Sequence, residues 1–234
     1  MTKMLLFDID GTLLITGGVG MAAFEKAFQE LHGIRDCWGD TIPDGKTDPL
    51  LFEEISAVHL QRPLTDREYS RLYERYLFYF RREINKTGCF RLMPGVVPLL
   101  ESLGQDSGIL LGIATGNFEE AAWLKLKRGG LDHYFRFGGF GSDARDRVQL
   151  LQIAIQRGLD RTGWVLPNEN IYVIGDSIRD MEAGNQLGIQ TIGVATGKTS
   201  LRELAAMNPS YLFEDFSDAQ KFLSIIRERP TPTL

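Results

Sequence analysis

The 234-residue chain has little of what several functional classes require. It holds two cysteines, Cys37 and Cys89, too few for a disulfide framework or a thiolate metal site, and they fit free thiols in a reducing compartment. Its three histidines, His32, His59 and His133, stand apart without metal-ligand spacing. Positive charge is also short. Lys and Arg number 26 against 31 Asp and Glu, and the formal charge of −5 gives no support to binding nucleic acid or an anionic membrane. No apolar run approaches the roughly 20 residues of a membrane span. No repeat or low-complexity tract appears. The first apolar run starts almost at Met1, leaving no room for a cleaved leader, so a cytoplasmic location is expected. What remains, 43% hydrophobic and 24% charged, is ordinary for a globular chain of one large or two modest domains.

The most informative segment that is present runs Leu5-Leu6-Phe7-Asp8-Ile9-Asp10-Gly11-Thr12-Leu13. An apolar run ends in two carboxylates, a glycine and a hydroxyl, as expected where a buried strand gives way to a turn. Two acids at such an end can divide labour, Asp8 as nucleophile and Asp10 as proton carrier. Ile109–Ala114 is a second apolar run, followed by Thr115-Gly116-Asn117, and Ile171–Gly175 is a third, followed by Asp176-Ser177-Ile178-Arg179-Asp180. In an open parallel sheet, ligands bind beyond the carboxyl ends of the strands. All three runs place their polar residues at that end. Gly45-Lys46-Thr47 and Gly197-Lys198-Thr199 imitate a phosphate-binding P-loop, but Asp40 and Ile192 stand where its first glycine belongs.

From about residue 109 apolar runs alternate with helical patterns, the mark of βαβ units: an α/β class with a Rossmann-like parallel sheet. Residues 16–92 read differently. Met21, Phe24, Phe28 and Leu31 share helical spacing, as do Leu51, Ile55 and Val58, and Thr65-Asp66-Arg67-Glu68 is a capping box opening a third helix. The expected organisation is a core of residues 1–15 plus 93–234 with a helical cap domain, 16–92, inserted after the first strand. Gly17-Gly18 and Met93-Pro94-Gly95 are the expected hinges. The tail around 229–233 is expected to fray.

The ordered set DxDGT, Thr-Gly-Asn and GDxxxD resembles the haloacid dehalogenase superfamily, across the whole chain in order though with exact matches confined to short segments. The resemblance implies a Mg2+-dependent phosphatase with a helical cap, of the phosphoglycolate phosphatase or β-phosphoglucomutase branch. It implies Asp8 as nucleophile and Asp10 as general acid and base. It also implies a metal held by Asp8, the backbone oxygen of Asp10, and Asp176. Thr12 and Asp180 are expected to support this set, Thr12 by orienting Asp10 or the turn and Asp180 by orienting a metal-bound water. Thr115, Gly116 and Asn117 suit phosphate oxygens, because a strand-to-helix turn offers free amides and a favourable dipole. Asn117 with Glu120 also reads as a capping box. The family's usual lysine before proline is missing, so Arg147 is the expected phosphate cation, with Arg145 in reserve. Lys46, in the Asp44–Asp48 segment that resembles the specificity loop, either meets an anionic substrate group or is a solvated surface lysine. The partner implied is a small phosphorylated metabolite, acted on by a monomer or homodimer. Asp10 speaks against a dehalogenase, and the absence of a Schiff-base lysine in the cap speaks against a phosphonatase. A phosphomutase would carry a histidine just after the first motif, where Ile15-Thr16-Gly17-Gly18 stands. The same region, Leu14-Ile15-Thr16, departs from the acidic residue and serine usual in phosphoglycolate phosphatases. A silent binding module is the non-enzyme alternative.

Overall fold

A computed structural model describes residues 2–43 and 45–227. Asp44 and the expected frayed tail at 229–233 lie outside the described residues. The chain opens with β1 (Lys3–Phe7), turns at Gly11, and enters the two-residue strand β2 (Leu14–Ile15). Three helices follow, α1 (Val19–His32), α2 (Asp48–Leu60) and α3 (Asp66–Glu83), before the chain returns through β3 (Arg91–Leu92). From there helix and strand alternate: α4 (Val96–Gly104), β4 (Ile109–Thr115), α5 (Glu119–Arg128), β5 (Gly138–Phe140), α6 (Arg147–Thr162) and β6 (Ile171–Gly175). The last elements are α7 (Ile178–Leu187), β7 (Gln190–Val194), α8 (Leu201–Ala206), β8 (Tyr211–Phe213) and α9 (Ala219–Arg227).

Six strands form one parallel sheet in the order β5-β4-β1-β6-β7-β8. Every residue of β1 is buried, as a strand covered on both faces requires. Period-two geometry sends Leu5 and Phe7 into one apolar cluster and Met4 and Leu6 into another on the opposite face. The chain walks from β1 to β4 and β5, then crosses back to β6. The order therefore reverses around β1, and a crevice opens beyond its carboxyl end.

A third apolar cluster lies among α1, α2 and α3 and takes in Phe118 and Ala121 from the start of α5. Phe24, Phe28, Leu51, Phe52 and Ile55 supply its buried stripe, and the Thr65–Glu68 capping box forms as expected. Val58 does not join it: at 64% exposure it faces away, and Phe52 takes its place. Of the glycines expected as hinges, Gly17, Gly18 and Gly95 all adopt positive φ. Two strand pairings went unanticipated. β5 begins with two glycines, which carry little strand propensity, and the β2–β3 ribbon is too short for an alternating pattern.

Candidate active site

Asp8 continues β1 by one residue, its amide donating to the carbonyl of Ile174 at 2.9 Å. The amides of Leu13 and Leu14 then turn back to Ile9. That turn leaves Asp8 beside the residues that follow β6. Oxygens of Asp8, Asp176 and Asp180 lie within 4.8 Å of one another. All three are buried, Asp180 completely. Thr12 donates its hydroxyl to Asp176 at 2.9 Å, so it orients that carboxylate and not Asp10. Asp180 closes a capping box with Ser177 and also accepts from Arg147. Arg147, the first residue of α6, further donates to the carbonyl of Ala114 at 3.0 Å and stands 3.4 Å from Asp8. Burial works against its charge, but the carboxylates of Asp180 and Asp8 outweigh it and hold the guanidinium protonated. Arg145 points elsewhere: its side chain is 60% exposed and paired with Glu53.

One cation among three carboxylates leaves an excess of negative charge. Asp8 is pushed up to about 6, chiefly by burial, with Arg147 pulling it down and Asp180 and Asp10 raising it. Asp176 is pushed up to about 8 by burial and then by Asp8 and Asp180. Buried oxygen ligands that resist ionisation on their own are what a hard divalent cation stabilises. The donor set therefore fits a hard divalent cation, with Asp8 and Asp176 as the expected carboxylates and Asp180 engaged beside them by Arg147 and Ser177.

The second half of the site was not foreseen. Lys125, 4% exposed, donates to Asp10 at 2.5 Å and to Asn117 at 2.8 Å. Its ammonium lies over the Phe80 ring of α3. A signal for it existed. Ala121, Ala122, Lys125 and Leu126 form the buried face of α5, so helical spacing places Lys125 on the inner side. Asn117 therefore serves as the acceptor for Lys125, and the expected capping box with Glu120 does not form; Glu120 pairs with Arg81. The α5 amides are met from elsewhere in the chain: the Asp48 carboxylate accepts from the Phe118 amide at 2.8 Å and the Ser142 hydroxyl from the Glu119 amide at 2.9 Å. Burial pushes Asp48 up to about 7, Lys125 and the Phe118 amide drawing it down and Asp10 raising it.

Asp8, Asp10, Thr115, Gly116, Asn117, Lys125, Arg147 and Asp176 all line one cavity of about 430 Å3. Its opposite wall comes from the helical segment, including Met21, Phe24, Trp38, Lys46, Leu51 and Tyr76. Thr12 and Asp180 stand behind the cavity instead of lining it. Lys46 is ion-paired with Glu54 at 2.5 Å, its side chain 19% exposed, so it is not a fully solvated lysine. The cysteines are both free, Cys37 buried and Cys89 exposed, and no described helix is long and apolar enough to cross a membrane.

Comparison with known proteins agrees with this arrangement. A family model described as "Haloacid dehalogenase-like hydrolase" matches residues 5–194, which takes in every element from β1 to β7. A phosphoglycolate phosphatase of Mannheimia succiniciproducens is 26% identical over 230 residues, covering 94% of this chain and 98% of that one. The pyrophosphatase PpaX of Oceanobacillus iheyensis is 26% identical over 222 residues, covering 92% and 94%. Among solved structures, a hydrolase from Pseudomonas syringae superposes with a TM-score of 0.72 at 24% identity, covering 97% of this chain and 100% of that one. With the motifs, the sheet order and the match over residues 5–194 in agreement, the chain belongs to the haloacid dehalogenase-like hydrolases.

Proposed function

We propose that the protein is a Mg2+-dependent phosphatase that hydrolyses a small phosphorylated metabolite through an aspartyl-phosphate on Asp8. The observation that carries this reading is the convergence of Asp8, Asp10, Lys125, Arg147 and the 115–117 loop on a single cavity. Phosphoryl transfer needs alignment and compensating charge more than any other device; here the ends of β1 and β4 supply Asp8, Asp10 and the 115–117 loop, and helices α5 and α6 supply Lys125 and Arg147. Asp8 attacks phosphorus in line, the P–O bond to the substrate oxygen breaks, and the resulting acyl phosphate is then cleaved by water to free phosphate and the Asp8 carboxylate. Asp10, 41% exposed in its side chain and turned toward the cavity, gives a proton to the departing oxygen and later takes one from water. Arg147 holds Asp8 and Asp180 in place, and Lys125 holds Asp10. Bound Mg2+, held by Asp8, Asp176 and the Asp10 carbonyl, would keep the buried carboxylates ionised and offset phosphoryl charge.

In the same reading residues 16–92 act as a cap, closing one wall of the cavity and excluding water from the reacting group. A volume of about 430 Å3 sits in the lower part of the usual range for small-molecule sites, which favours a metabolite over a macromolecule. The names of the relatives rank the first candidates, phosphoglycolate and then inorganic pyrophosphate. The test is phosphate release from a panel of phosphorylated metabolites and an aryl phosphate, with Mg2+ and with excess chelator. Mg2+-dependent release supports the reading. A folded protein that releases no phosphate from any of them overturns it.

A further inference from the structure

Asp48 belongs to α2 yet acts on α5. Its main-chain amide donates to the Gly116 carbonyl at 2.7 Å, and its carboxylate accepts from the Phe118 amide at 2.8 Å. Phe118, the residue that opens α5, has no side-chain cap of its own. Its ring is held from the same side, 5.2 Å from Phe52, 4.7 Å from Tyr73 and 5.6 Å from Tyr76. Contact is close enough that a Cβ at Gly116 would collide with the carbonyl of Lys46, so only glycine permits the approach. Asp48 itself is 7% exposed.

Those two bonds fix the direction of the peptide between them. In a trans peptide the carbonyl and the following amide point opposite ways. With the Gly116 carbonyl turned toward Asp48, the Asn117 amide is turned away from it and meets the Thr115 hydroxyl at 3.4 Å. The next carbonyl, that of Asn117, accepts from the Gly141 amide at 2.8 Å, which again leaves the Phe118 amide for Asp48. Asp48 therefore grips alternate peptides of the loop expected to bind phosphate. We infer that Asp48 is a positioning residue: through the Gly116 carbonyl and the Phe118 amide it sets the 115–118 loop so that the Asn117 amide holds the Thr115 hydroxyl, whose proton is left to donate to a phosphoryl oxygen. A residue of the helical segment thus completes an anion site built on β4. The inference rests on the phosphatase reading.

The experiment compares Asp48→Ala and Asp48→Asn with the wild type and with Thr65→Ala, which removes a cap from α3 whose bonds go to Glu68 and not to the loop. Read-outs are KM and kcat for an aryl phosphate, competitive inhibition by inorganic phosphate, and amide exchange at Phe118. Asp48→Ala should raise KM and the phosphate inhibition constant about five- to tenfold, the conversion of one lost helix N-cap, with a smaller change in kcat. Exchange at Phe118 should accelerate. Asp48→Asn keeps an oxygen in place and should restore protection at Phe118 and most of the phosphate affinity. Thr65→Ala should lose thermal stability without moving KM. If Asp48→Asn is as impaired as Asp48→Ala, the charge and not the cap matters, and the inference falls. It also falls if Asp48→Ala leaves both affinity and exchange unchanged, or if Thr65→Ala raises KM equally. A wild type that neither binds phosphate nor turns over the aryl ester overturns the phosphatase reading; a wild type that does both, with no split among the variants, overturns only the role of Asp48.

Discussion

The two halves of the site are built on different plans. Around Asp8, three buried carboxylates and Arg147 sit at strand ends and at the first turns of α6 and α7, and the excess of negative charge matches a divalent cation. Around Asp10, one ammonium, Lys125, carried in the middle of a helix, pairs with Asp10 and bonds Asn117, and its charge also steadies the Asp48 carboxylate of α2. The first half is rigid because the sheet makes it so. The second exists only where α2 meets the start of α5. In the proposed reading, the nucleophile is placed at a strand end, and proton transfer and selection are placed where α2 and α5 meet.

The most severe way to test that division is to remove Asp8. Asp8→Asn keeps shape and loses nucleophilicity, so turnover should fall by about four orders of magnitude or more, over 5 kcal/mol of barrier, with the fold retained by circular dichroism. A loss of only about tenfold would remove the nucleophile assignment. Next in size is the cation. Chelator should abolish turnover, and added Mg2+ should raise the melting temperature of the chelated protein by binding only the folded state. Full turnover in excess chelator would dissolve the contrast between the halves.

Lys125→Met probes the second half directly. Leaving Asp10 without its counterion should cost about 1–3 kcal/mol of stability, less than a fully buried pair because Asp10 is partly exposed. Turnover should fall further for alkyl than for aryl phosphates, since good leaving groups need little help from Asp10. Equal losses on both would assign Lys125 to the phosphate rather than to Asp10. Lys46→Ala should be milder. Turnover of the preferred metabolite should drop, in kcat as well as KM, with little change for a small aryl phosphate that does not reach it. No loss on either would reduce Lys46 to a partner of Glu54.

The smallest effect is a pH slope. Asp48 folds with its pKa raised to about 7, so the stability associated with its neutral form is fully present below about pH 4 and is lost as pH rises through 7. Asp48→Asn does not ionise. The difference in unfolding free energy should therefore move against the wild type between about pH 4 and 7, by about 1.4 kcal/mol per pH unit at most, and level off above that. Parallel curves would show that Asp48 is already ionised across the range.

These expectations also mark what the chain alone discloses. The strand ends were legible because each apolar run stops abruptly at its polar residues, and local order then places Asp8, Thr115 and Asp176 together without knowledge of the rest. Arg147 was legible because it opens a helix after an acidic segment. Lys125 was obscured by its neighbour Lys127, which makes Trp123-Leu124-Lys125-Leu126-Lys127 look like a solvated face. Asp48 was obscured by its place at the start of α2, where an acid is expected to serve its own helix. Both act on residues about 70 or more positions away, Lys125 on Asp10 and Asp48 on Phe118, and no local pattern encodes such a pairing.

The β2–β3 ribbon has a consequence of its own. Ile15 faces Arg91 and Leu14 faces Leu92, so the chain leaves the sheet layer and re-enters it one strand spacing apart. Whatever is threaded between those two points spans almost no distance, and the entropic penalty of lengthening or shortening it grows only with the logarithm of its length. The ribbon thus behaves as a socket. Helices of another size or number could be exchanged there without re-registering β1 against β4 and β6. Substrate preference could then diversify by replacement of one continuous stretch, while the residues that handle phosphorus stay under a constraint the stretch does not share.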